Sequence, residues 1–106
     1  MRQNASLVAL AGVALALTTA GQAQDTGAAT YKAKCEHCHG ADGMSHTFAG
    51  KMTHAANLKD PKVTSATDED LIAVVTNGRK KMPAFKGKLT DEQIKAVVGY
   101  IRAIPD

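Results

Sequence analysis

The chain is short of the residues that usually build a small core. Its 106 residues include no tryptophan and only four other aromatics, Tyr31, Phe48, Phe85 and Tyr100. A domain of this size buries proportionally little surface, so a core this poor in rings calls for a staple or a bound group. Only two cysteines are present, Cys35 and Cys38, which excludes a multi-disulfide scaffold. No run of alternating apolar and polar residues marks a strand, and no internal repeat occurs. No basic stretch is interleaved with aromatics, and the net charge is only +3. Nucleic acid is therefore excluded as the main partner.

The one long apolar run lies at the start. Arg2 supplies a positive charge, Leu7 to Leu17 is an uninterrupted run of eleven apolar and small residues, and small residues follow at Gly21 and Ala23. That order is the pattern of a secretory signal peptide, and the run is short for a membrane span. The expectation is a leader over residues 1–23, cleaved behind Ala23, and a mature domain over residues 24–106 that is exported to the periplasm. The mature chain has 83 residues, with 12 basic and 10 acidic side chains.

Three helical patterns organise that domain. In the first, from about Thr26 to His39, the residues Gly27, Tyr31, Cys35, Cys38 and His39 form one stripe, and Gly40 stops the helix. The second starts after Thr67 with Asp68, Glu69 and Asp70 in its first turn, where negative charge meets the positive end of the helix dipole. It presents Leu71, Ile72, Val74 and Val75 and ends at Asn77-Gly78. The third opens with a capping box, Thr90 and Gln93, with Leu89 placed to staple onto Ile94. Its buried face runs through Ile94, Val97, Val98, Ile101 and Ile104. Between the first two helices, Ala41 to Thr67 is polar and punctuated by Gly43, Gly50 and Asp60-Pro61, long enough to suggest a segment wrapped around something.

Both cysteines fall in Lys34-Cys35-Glu36-His37-Cys38-His39-Gly40, and four uses compete for them. A disulfide across two intervening residues closes a very small loop and leaves His39 without a role. A thioredoxin-like redox pair belongs at the end of a strand, and none is indicated. Zinc could take both thiols, His39 and one of His37, His46 or His54, but a second spaced knuckle is missing. The fourth use accounts for every residue, because Cys-x-x-Cys-His is the attachment pattern of covalent c-type haem. Positions i, i+3 and i+4 share one helix face. Two thiols there can add to the two vinyl groups of one haem edge, and the adjacent imidazole reaches the iron.

An iron held by one histidine has a second axial position, whose occupant decides the function. Met82 is the leading candidate, since Pro83 disfavours helix at Met82 and presents it from a loop between two helices. Phe85 can wall that loop. Met44 and Met52 are read as core or surface methionines. His46 and His54 stay open as other axial candidates, which would give a lower potential. His37, between the two cysteines, points off the stripe.

With these motifs in place, nearly all of residues 25–106 resembles a class I c-type cytochrome of the small single-haem bacterial kind. The carriers of the resemblance are Gly27 and Tyr31 before the first cysteine, Val97 and Tyr100 on the last helix, Met82-Pro83, and Leu89-Thr90-Asp91-Glu92. The resemblance implies an all-α cytochrome c fold, three main helices around one covalently attached haem. It also implies Val97 and Tyr100 packed against Gly27. By the same likeness Cys35 and Cys38 bind haem c, His39 is the proximal iron ligand and Met82 the distal one. One departure stands out. Many relatives carry a proline after the motif that fixes the carbonyl accepting from the proximal imidazole. Here no proline lies between His39 and Pro61, and Phe48 stands about where one is expected, so the acceptor for His39 is left unnamed.

A six-coordinate iron has no position open to substrate. The expected function is therefore one-electron transfer by a soluble carrier cycling between Fe(II) and Fe(III), and not an enzyme activity. The alternative is a haem subunit or sensor held permanently by an exported dehydrogenase or oxidase. Arg79, Lys80, Lys81, Lys86 and Lys88 cluster around Met82 and would make a basic rim for acidic redox partners.

Overall fold

The structure, a computed structural model, describes residues 19–106. Most of the expected leader, residues 1–23, lies outside the described residues. The described residues form six helices in order: α1 (Thr19–Lys34), α2 (Glu36–His39), α3 (Phe48–Thr53), α4 (Pro61–Thr64), α5 (Asp68–Asn77) and α6 (Asp91–Ala103). Among the described residues there is no strand, only two isolated bridges in the loop before α6.

The first predicted helix is present, but it begins at Thr19 rather than about Thr26, and it has one irregularity. Cys35 has φ −117° and separates α1 from α2. Its N–H still donates to Tyr31 O (2.8 Å), and its carbonyl still accepts from His39 N (2.9 Å). The ladder therefore runs through the join, and the stripe from Tyr31 to His39 keeps its register. Gly40 closes α2 at φ 81°, a left-handed value that glycine adopts without steric cost. The Tyr31 hydroxyl donates to Gly40 O at 2.6 Å inside the core, and burial pushes its pKa well above the ordinary phenol value.

The polar segment before α5 is not structureless. It folds into α3 and α4, capped by Thr47 and Asp60, whose side chains accept from Gly50 N and Lys62 N. Both helices are too short to show an apolar period, which is why the sequence pattern did not reveal them. Leu58 N donates to Gly43 O at 2.7 Å, pinning the far end of the segment back against its start.

α5 and α6 begin as expected. The Thr67 side chain caps α5 by accepting from Asp70 N, with three acidic residues in the first turn. Thr90 and Gln93 form the reciprocal capping box of α6. Thr90→Ala removes one half of that box and is expected to cost about 1 kcal/mol, measurable by thermal or denaturant unfolding. Arg102, near the end of α6, reaches Asp68 (2.6 Å) and the Ala66 carbonyl (2.6 Å), joining α6 to the start of α5.

α1 and α6 cross at Gly27. A β-carbon there would lie 2.4 Å from the Ala96 carbonyl oxygen and 3.1 Å from Tyr100 Cβ. The closest approach to Gly27 is thus made by the backbone of Ala96 together with Tyr100, while Val97 is wholly buried. The Tyr31 and Tyr100 rings meet at 5.1 Å between centroids and 46° between planes, a tilted pairing favoured by the aromatic quadrupole. Around this crossing gathers one cluster: Tyr31, Cys35, Val75, Phe85, Ile94, Val97, Val98 and Ile104. Leu71, Ile72, Met82, Leu89 and Ile101 pack against it. The core therefore includes the first motif cysteine.

Candidate haem-attachment site

Cys35, Cys38 and His39 occupy a single helical turn. Cys38 N and His39 N both donate to the Cys35 carbonyl, at 3.2 and 2.9 Å. Both thiols are free; Cys35 is buried and Cys38 half-buried, so no disulfide links them. Burial, reinforced by the neighbouring Cys38, pushes the Cys35 thiol up to about 11. Among the described residues no three His, Cys, Asp or Glu side chains gather so as to hold a metal ion. The zinc arrangement weighed from spacing is not built.

The structure supplies the acceptor that the sequence left unnamed. His39 Nδ1 lies 3.0 Å from the Ala56 carbonyl oxygen. A carbonyl can only accept, so Nδ1 carries the proton and Nε2 keeps its lone pair. Burial holds the imidazole pKa below its ordinary value, partly offset by this hydrogen bond. The acceptor lies seventeen residues after His39 and eight beyond Phe48. Phe48 starts α3 and is 81% exposed, so it takes no part in holding the imidazole. The available signal was faint: an alanine carbonyl carries no side-chain mark, and only its loop geometry brings it to His39.

Thr47 and Gly50 brace the motif from below. Thr47 Oγ1 accepts from Gly50 N (2.8 Å) and faces the carbonyls of His37 (2.8 Å) and Cys38 (2.9 Å). A β-carbon on Gly50 would lie 2.3 Å from the Cys38 carbonyl oxygen. α3 therefore presses its backbone directly against the turn that carries both thiols, which only glycine allows.

Met82 reaches the same core from another loop. It is half-buried and packs against the cluster that contains Cys35. A two-way backbone pairing holds it, Arg79 N to Met82 O (3.1 Å) and Met82 N to Arg79 O (2.9 Å). The loop folds back so tightly that a β-carbon on Gly78 would lie 2.8 Å from both Met82 O and Ala84 N. Phe85 N and Lys86 N then donate to Val75 O and Thr76 O, at 3.0 Å each, tying the loop to the end of α5. Among the described residues the other two methionines are exposed, Met44 at 38% and Met52 at 60%. His37, His46 and His54 are exposed as well.

Comparison with known proteins identifies the family. Residues 22–101 match the family described as cytochrome c oxidase, cbb3-type, subunit III. The chain is 42% identical to the cytochrome c6 of Nostoc sp. strain PCC 7120, over 95% of this chain and 92% of that one. The chain belongs to the c-type cytochromes. The cytochrome c6 of Leptolyngbya boryana is 38% identical, with 71% of this chain and 85% of that one covered. Among solved structures, the KustC0563 c-type cytochrome superposes with a TM-score of 0.68 at 33% identity, covering 76% of this cytochrome and 98% of that chain. The all-α cytochrome c fold expected from the resemblance is the fold observed, and the family carries a covalently bound haem c.

The residues fit that group. Two unpaired thiols stand three apart on one turn, and the adjacent imidazole has its outer nitrogen committed to a carbonyl and its inner one free to bind iron. Rigid orientation of a ligating histidine by such a carbonyl is what a stable metal–imidazole bond requires.

Proposed function

We propose that this cytochrome is a one-electron carrier in which Cys35 and Cys38 hold haem c covalently, with His39 and Met82 as the two axial ligands. The haem supplies the Fe(II)/Fe(III) exchange. The protein's part is to hold both ligands so firmly that little rearranges between oxidation states. His39 is locked by Ala56, and Met82 is locked by the Arg79 pairing and by the fold of the loop over Gly78. A thioether ligand from Met82 together with the His39 imidazole would favour the reduced iron and raise the potential. The observation that carries the proposal is the fixed His39 tautomer beside two free thiols on the same turn. A permanently held haem subunit is not favoured, since the relatives matched over most of their length are cytochromes c6.

The mature carrier comprises residues 24–106, exported to the periplasm after loss of residues 1–23. No helix among the described residues is long and apolar enough to cross a membrane. Arg79, Lys80, Lys81, Lys86 and Lys88, all exposed beside the Met82 loop, form the basic rim that steers acidic faces of donor and acceptor proteins toward it.

The test is the absorption spectrum of the exported holoprotein, oxidised and reduced, after acid–acetone extraction. The expected result is haem retained on the chain, a low-spin ferrous spectrum and the weak red ferric band of methionine-sulfur ligation. Haem lost to the solvent would overturn the covalent attachment. Retained haem without the sulfur band would overturn the role of Met82.

A further inference from the structure

The Ala56 carbonyl receives a second donor. The Ser45 hydroxyl donates to the same oxygen that accepts from His39 Nδ1, and Ser45 Oγ lies 3.5 Å from that nitrogen. Ser45 is 8% exposed, one of two buried polar side chains among the described residues. Its backbone is bound to His39 as well, since Ser45 N donates to His39 O at 2.9 Å. Yet Ser45 sits at φ 61°, in the left-handed region that a residue with a β-carbon enters at a cost. Glycine would hold that turn without strain. A serine here is conformationally unfavourable for the turn alone, and its hydroxyl is directed at the one carbonyl that orients His39.

We propose that Ser45 is a positioning residue that tunes the proximal ligand. Its hydroxyl takes up one of the two lone pairs of the Ala56 carbonyl and so weakens the bond from His39 Nδ1–H to that oxygen. The strength of this outer bond sets the basicity of a ligating imidazole. A weaker bond leaves the imidazole less electron-rich, disfavours the ferric state and raises the potential. The proposal rests on His39 being the proximal ligand.

The experiment compares holoprotein carrying Ser45→Gly or Ser45→Ala with the unaltered protein, by redox titration and by proton NMR of the His39 ring. Ser45→Gly removes the hydroxyl and the backbone strain together, so it tests the role without endangering the fold. Both variants are expected to shift the one-electron equilibrium about threefold toward the ferric form. That is a fall of about 28 mV at 59 mV per tenfold. The His39 Nδ1 proton is expected to move downfield and to exchange more slowly with solvent as its bond to Ala56 strengthens. An unchanged or raised potential in variants that keep the unaltered low-spin spectrum would overturn the role of Ser45 alone. A starting protein without a histidine-ligated low-spin spectrum would overturn the ligand assignment beneath it.

Discussion

Met82→Ala is expected to lower the midpoint potential of the holoprotein by on the order of 0.1 V, within the roughly 0.8 V span that axial ligation commands. The haem is expected to stay attached, because Cys35 and Cys38 are untouched. The red sulfur band of the ferric spectrum is expected to vanish. The size of the effect follows from how Met82 is held. The Arg79–Met82 pairing and the close packing of Met82 O over Gly78 fix the backbone from which the Met82 side chain is presented. Redox titration with ferric absorption spectroscopy reads both quantities. Met52→Ala is the control and should move neither, since Met52 lies on the surface. A Met82→Ala protein that kept the sulfur band and the starting potential would show that the second ligand comes from elsewhere.

The largest stability effect is expected at Gly27. A β-carbon 2.4 Å from the Ala96 carbonyl oxygen meets helix backbone, which cannot swing aside as a flexible side chain can. Gly27→Ala must therefore separate α1 from α6, loosening Tyr31 and Val97, which are 1% and 0% exposed. The expected loss is about 3 kcal/mol, at the upper end for overpacking. For a domain of this length that lowers the melting temperature by roughly 12–24 °C. Gly99→Ala, on the exposed side of α6 with nothing within 4 Å, is the matched comparison. It is expected to stabilise by about 0.5–1 kcal/mol, because alanine loses less backbone entropy than glycine in a helix. Equal melting temperatures for the two variants would refute the steric account of the crossing.

The contrast between these two glycines shows how far a sequence can be read. Both lie in helices, and no local rule separates them; only the partner helix makes one indispensable and the other replaceable. The resemblance did place Gly27 at a contact, with Val97 and Tyr100 opposite. The structure keeps Tyr100 and puts the Ala96 carbonyl closest, a backbone atom that no side-chain pattern can mark. α3 and α4 were likewise hidden, because four to six residues are too few for a 3.6-residue period to appear.

What the sequence by itself determined is everything carried by neighbours along the chain. The spacing of Cys35, Cys38 and His39 places three side chains on one turn. Thr67 and Thr90 cap the helices they precede, Gly40 and Gly78 end the helices before them, and Pro83 keeps Met82 out of a helix. Tertiary structure alone decided which carbonyl orients His39, that Ser45 shares that carbonyl, and that Met82 packs against the cluster holding Cys35. Those relations join residues brought together by loop closure and packing, between groups whose identity in the sequence is a bare carbonyl or an ordinary serine. Local chemistry can be read from the order of residues; a shared acceptor exists only after the chain has folded.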